Sequence, residues 1–174
     1  MAEITVVIGD ITKQDVDVIV NAANAHLSHG AGVAAAIARA GSPDVDAESR
    51  AWVAEHGPVL PGTAAITGAG DMPARHVVHV VGPFFGEGQD NEALLAQAVD
   101  AALDAAAGLG AASIAMPTIS AGIYGYPPAS ACRVIATTAD AWLDHGGALD
   151  EIRLVAFSTE IADHYHDSLR TLGS

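Results

Sequence analysis

Short runs of β-branched residues alternate with longer alanine-rich stretches along the 174 residues of the chain. Strands feeding crossover helices produce that alternation. Strands are predicted at residues 4–8, 16–20, 64–67, 76–81, 113–116 and 153–156, and helices near 32–40, 45–56, 92–107, 129–143 and 161–172. Pro58, Pro61 and Gly62 stop the second helix, and Gly108 and Gly110 stop the third. The stretch 92–107 repeats Ala and Leu at helical spacing with Asp100 and Asp104 on a wetter face, so it is read as an amphipathic cover. There is no internal repeat, linker or low-complexity tract, and Gly146-Gly147 reads as a loop. One three-layer α/β/α domain over residues 1–174 is the expected architecture.

A chain of this length buries roughly two-thirds of its unfolded surface in one core. Hydrophobic residues make up 51% and aromatics only 5%, so Ala, Val, Ile and Leu must build that core. Seven Lys plus Arg stand against twenty-one Asp plus Glu, a formal charge of −14 and an isoelectric point near 4.6. Such a surface repels polyphosphate backbones and acidic membranes, so neither nucleic acid nor a membrane is an expected partner. Cys132 is alone, which rules out an intramolecular disulfide and argues against a structural zinc site. The opening "MAEITVVIGD" lacks a basic, apolar leader, and a cytoplasmic setting is expected.

Open α/β sheets bind ligands beyond the carboxyl ends of their strands. Four places there stand out: Gly9-Asp10-Ile11, residues 21–33, residues 117–125, and Phe157. In the second, Gly30 and Gly32 bracket a helix start whose free N–H groups and positive dipole end suit a phosphate, although a plain helix start is equally compatible. "GAGVAA" matches the dinucleotide fingerprint, but "NAANAHLSH" separates it from its strand and weakens a Rossmann reading. In the third, "PTISAGIYGYPP" places Gly122 and Gly125 around Tyr124, and it lacks the G-x-S-x-G elbow that would make Ser120 a nucleophile.

Asp10 could accept from an exocyclic amine or simply cap a helix. Asn24 could grip a ribose diol, whereas Asn21 could hold a turn. Phe157 could stack on a base or sit in the core. His26 with His29 and His76 with His79 mimic ligand pairs, but strand residues three apart face opposite sides, and no metal or cofactor is expected.

Taken together, "GDITKQDVDVIVNAAN", "LSHGAGVAAAI", "HVVHVVGP" and "PTISAGIYGYP" resemble the macrodomain family of ADP-ribose-binding modules, in order and over almost the whole chain. The stand-alone archaeal and bacterial members, with loops reading "GGGVA" and "SAGIYG", are the most similar. The resemblance implies a six-stranded mixed sheet between helices, with the first strand antiparallel to its neighbours. It implies that Gly9, Asp10, Ile11 and Phe157 serve the adenine. Gly32, Val33 and the loop Ser120, Ala121, Gly122, Ile123 and Tyr124 would wrap the diphosphate. Ala22, Asn24, Gly30 and Ala31 would line the ribose side, with Gly125 closing that end. Asn24, Gly32 and Gly125 are the candidates for catalytic positioning.

A diphosphate held by backbone amides needs no lysine, which explains how so acidic a chain could bind one. Two positions depart from the family pattern. Ala31 replaces the middle glycine of the usual triplet, and Ala34 stands where the strongly hydrolytic branch carries an aspartate. The expected partners are ADP-ribose and mono-ADP-ribosylated proteins, with hydrolysis of ADP-ribosyl-glutamate or aspartate bonds as the candidate reaction. The alternatives are a non-catalytic reader, an O-acetyl-ADP-ribose deacetylase, an ADP-ribose phosphate phosphatase, and an NAD-dependent enzyme.

Overall fold

A computed structural model describes residues 2–173. Six strands, β1 (Glu3–Ile8), β2 (Val18–Ala22), β3 (Ala64–Gly68), β4 (His76–Val80), β5 (Ser113–Met116) and β6 (Glu151–Ala156), form one sheet in the order β1-β6-β5-β2-β4-β3. Five helices cover it: α1 (Gly32–Ala40), α2 (Asp44–His56), α3 (Asn91–Gly108), α4 (Pro128–Asp144) and α5 (Thr159–Leu172). A 3-10 turn, Ile11–Lys13, follows β1.

The sheet is mixed, as expected, but its odd strand is not the expected one. Strand β1 runs parallel to β6, and β3 is the strand that runs antiparallel, against β4. The connections explain the difference. Only residues 69–75 join β3 to β4, too few for a crossover, so the chain must turn back on itself. The segment between β1 and β2 instead returns the chain to the starting edge of the sheet, and the two strands emerge in the same direction.

Alternation along the strands divides the core into two layers. Val18 and Val20 of β2, Ile114 and Met116 of β5, and Ile152 and Leu154 of β6 pack against α3, α4 and α5. Ile19, Val77, Ala115 and Val155 face the other way, against Ile11, Ile37 of α1 and Val45 of α2. Alanines dominate the buried face of α3, with Ala98, Ala102 and Ala106 beside Leu95, Val99 and Leu103, which lets the helix approach the sheet closely.

Strand β2 begins two residues later than expected. Val16 is buried without joining the ladder, and Asp17 accepts the Ala112 N–H at 2.7 Å through its carboxylate and two further N–H groups, from Arg75 and His76, through its carbonyl. The shift carries the strand through Asn21, which is therefore a fully buried ladder residue and not a turn residue. Among the described residues no helix is long and apolar enough to cross a membrane.

Candidate functional site

The strand order ranks the loops along the carboxyl edge of the sheet. Asp10 and Phe157 follow the neighbouring strands β1 and β6, residues 117–125 follow β5, the loop 23–31 follows β2, and Gly82 to Phe85 follow β4 on the far side. Between the β5 and β2 loops lies a cavity of about 420 Å³. Its walls hold Ala22, Asn24, Gly30, Ala31, Gly32, Val33, Ser120, Gly122, Ile123 and Tyr124 from the sequence-derived set, together with Ser28, Ala34, Pro117 and Thr118. Gly9, Asp10, Ile11, Ala121, Gly125 and Phe157 lie outside these walls. Among the described residues no charged side chain lines the cavity, so the net charge of the chain does not act at contact distance there.

Helix α1 starts at this wall. Ala31 is its N-cap, with extended backbone and no side-chain cap, and the first turn has no acidic residue. The leading N–H groups and the positive end of the helix dipole are thus left to the cavity. Gly32 opens the helix at φ +59, a left-handed conformation that disfavours any side chain, although a Cβ there would meet nothing within 4 Å. Glycine is needed at that position for conformation and not for space.

The opposite wall carries a matching feature. Ser120 adopts φ +67, rare for a residue with a side chain, and its Oγ is buried without a hydrogen-bond partner among the described residues. A buried hydroxyl left unpaired costs about 1–3 kcal/mol, and this one is shut off from solvent against the Gly82 backbone. Gly82 permits this arrangement: a Cβ there would stand 2.4 Å from Ser120 Oγ and 2.5 Å from Ile119 Cγ2. Beneath the same loop, Thr118 Oγ1 is 3.0 Å from the hydroxyl of the buried Tyr165, whose ionisation burial strongly suppresses.

Asn24 sits in the wall with its amide already engaged. Its Nδ2 donates to the carbonyl and to the hydroxyl of Ser28, both at 2.9 Å, and its Oδ1 accepts the Ser28 N–H at 3.0 Å. These bonds fold the loop on itself, with Leu27 at φ +52 tucked into the core. A ligand hydroxyl meeting Asn24 would meet an amide oriented by Ser28, a residue the sequence did not single out.

A polar cluster supports this loop from below. Thr67 Oγ1 donates to the Gly68 carbonyl and accepts from His79 Nε2 at 3.0 Å, which leaves His79 Nδ1 to accept from Asn21 Nδ2 at 3.1 Å. The His29 ring stacks on His79 at 5.3 Å, approaches Asn21 Nδ2 at 3.4 Å through Nδ1, and bonds Ser49 of α2 at 2.9 Å through Nε2. Burial holds the His79 pKa down to about 3, with the neighbouring His29 adding to the effect. His29 is lowered too, by burial, against a counter-pull from Asp46. Both rings are neutral at pH 7. The cluster spans residues 21, 29, 49, 67 and 79, so no local motif could have announced it.

At the β1–β6 end Asp10 does what a capping residue does: Oδ1 accepts from the Thr12 N–H at 2.9 Å and from Thr12 Oγ1 at 2.7 Å, and these bonds hold its pKa below the usual value. Its second oxygen takes no hydrogen bond among the described residues. Phe157 is 71% exposed, so it is not a core phenylalanine, and the exposed Ile8 precedes Gly9 on the paired strand.

A mostly parallel sheet with an uncharged, amide-edged cleft at its carboxyl edge defines an α/β domain of the ligand-binding kind. The Macro domain family model matches residues 20–135. A macro domain-containing protein of Listeria monocytogenes is 46% identical over 161 residues, covering 91% of this chain and 92% of that protein. An O-acetyl-ADP-ribose deacetylase of Cronobacter sakazakii is 46% identical over 158 residues, covering 90% and 88%. The solved macrodomain of Oceanobacillus iheyensis with ADP superposes with a TM-score of 0.90 at 33% identity, covering 96% of this chain and 90% of that one, and a mutant of it with ADPR gives 0.91. The chain belongs to the macrodomain family.

Proposed function

We propose that the cleft binds ADP-ribose, both free and as the single unit carried on acidic side chains of modified proteins. The observation that carries this reading is the uncapped start of α1, opened by the left-handed Gly32, on the wall of an uncharged cavity. That helix start supplies donors and fixed partial positive charge to a diphosphate. The free oxygen of Asp10 would accept the adenine amine and Phe157 would stack on its ring. The relatives support the reading, since solved macrodomains similar to this chain carry ADP or ADP-ribose. Residues 1–174 would act as one domain, and the lone cysteine favours the cytoplasm.

Hydrolysis of the ester between the distal ribose and a glutamate or aspartate would rest on positioning. Water adds, ADP-ribose and a free carboxylic acid leave, and Ala34 contributes a methyl group where a carboxylate base would be needed. Asn24, oriented by Ser28, would fix the ribose with the backbone at Gly32 beside the reacting end, and Gly125, outside the cavity walls, would serve by holding the loop that carries Tyr124. The names of the relatives favour a second substrate for the same cleft, O-acetyl-ADP-ribose, whose hydrolysis would release acetate. The test is to incubate the protein, beside Asn24→Ala, with a protein mono-ADP-ribosylated on glutamate and separately with O-acetyl-ADP-ribose. Multiple turnovers that disappear in the variant identify the substrate. Retention of the modified protein without release leaves a reader, and failure to retain it contradicts the proposal.

A further inference from the structure

Phe84 follows β4, on the side of the cleft away from Asp10 and Phe157. It is 64% exposed, yet its ring lies flat on that of Tyr124, with centroids 3.7 Å apart and planes inclined by 22°. The neighbouring backbone fixes the pair: the Phe85 N–H donates to the Tyr124 carbonyl at 2.9 Å, and the Phe85 ring meets Tyr126 edge-on at 5.0 Å. The β4 loop is itself braced. Gln89 Nε2 donates to the Phe84 carbonyl at 2.6 Å, and the Asn91 amide closes on both backbone groups of Gly86. Tyr124 belongs to the cavity wall and Phe84 does not, and the stack on Tyr124 is the contact that ties Phe84 to the cavity.

We infer that Phe84 is a positioning residue, which holds Tyr124 as a two-ring wall at the end of the cleft remote from the adenine site and so sets how well the cleft recognises ligands that reach that end. The inference rests on the ADP-ribose reading, in which that end receives the distal ribose and the group attached to it. An isolated Tyr124 ring on a glycine-flanked loop would sample several rotamers, whereas the stack holds one and presents a flat apolar face. The role therefore shows as discrimination and not as general affinity. On this inference the Tyr124 ring, which the family resemblance puts beside the diphosphate, faces the distal ribose, so a ligand ending at the second phosphate leaves the wall unused and one carrying the distal ribose meets it.

The test compares wild type, Phe84→Ala and Phe84→Tyr in calorimetric titrations with ADP-ribose and with ADP, with thermal melting alongside. Phe84→Ala should weaken ADP-ribose by about three- to tenfold, the scale of one aromatic pair, and leave ADP unchanged. Phe84→Tyr, which keeps a stackable ring, should restore the wild-type ratio of the two affinities. An unchanged ratio in Phe84→Ala overturns the inference while wild-type binding leaves the ADP-ribose reading intact. Failure of wild type to bind ADP-ribose overturns the reading and the inference with it. Because the ring is largely exposed, a melting temperature near wild type is expected for both variants.

Discussion

At the β1–β6 end of the cleft, Asp10 keeps one oxygen for its own 3-10 turn and the other free, and Phe157 projects from the sheet with 71% of its surface exposed. At the β2–β4 end, Asn21 and His79 are fully buried, His29 bridges them to Ser49 of α2, and Asn24 is bonded to Ser28. The open end presents side chains that rest on little else. The closed end presents backbone and ring faces held in place by buried polar bonds. Substitutions at the open end should accordingly change affinity while sparing the fold, and those in the buried polar cluster of the closed end should change both.

The largest effect is expected at the buried cluster. Asn21→Ala removes the donor to His79 Nδ1 and leaves that buried acceptor unpaired in a small void, which should lower unfolding stability by about 2–4 kcal/mol. Urea denaturation measures it, and stability equal to wild type would show that the closed end is not held by this cluster. The same cluster predicts a pH dependence. His29 and His79 have folded pKa values below the ordinary 6.5, so below that pH the unfolded chain binds more protons than the native one. Their contribution is fully present above about pH 6.5 and is lost as the pH falls toward about 3. The slope is up to about 1.4 kcal/mol per pH unit for each histidine. Denaturation midpoints between pH 7 and 5 that do not move would break the link between burial and neutrality.

At the open end, Asp10→Asn keeps an oxygen for Thr12 and replaces the free acceptor with an NH2 group. ADP-ribose affinity should fall by about 1–3 kcal/mol in calorimetry with the melting temperature held. Loss of stability instead would make Asp10 a closed-end residue in function. Phe157→Ala is the smallest change, with about 0.5–1.5 kcal/mol of affinity lost and no effect on denaturation.

The same contrast separates what the sequence disclosed from what it hid. Helices α1 and α3 and strand β5 are local patterns of small and β-branched residues, and they fall within a residue of where the sequence puts them. Strand β2 slipped by two because Val16 is hydrophobic for the sake of packing and not for the ladder. The direction of β1 depends on which strand it pairs with, a nonlocal choice that single-chain patterning does not encode. The glycines around α1 were legible because a bare helix start leaves a local mark. The bonds behind them join residues as far apart as Asn21 and His79, and the support of Tyr124 by Phe84 spans forty residues, from 84 to 124. Phe84 reads in the sequence as one more loop phenylalanine.

In the proposed function, backbone amides and a helix start, without a lysine or arginine, bind the ADP-ribose diphosphate in this cleft. Calorimetric titration with ADP-ribose and with NAD, at low and high salt, tests it most directly. ADP-ribose should bind saturably and one-to-one, tighter than NAD because the nicotinamide would crowd the loop at Gly30 and Gly32, and nearly independently of salt because no charged side chain contacts the diphosphate. Binding that favours NAD, or that collapses as salt rises, would contradict it.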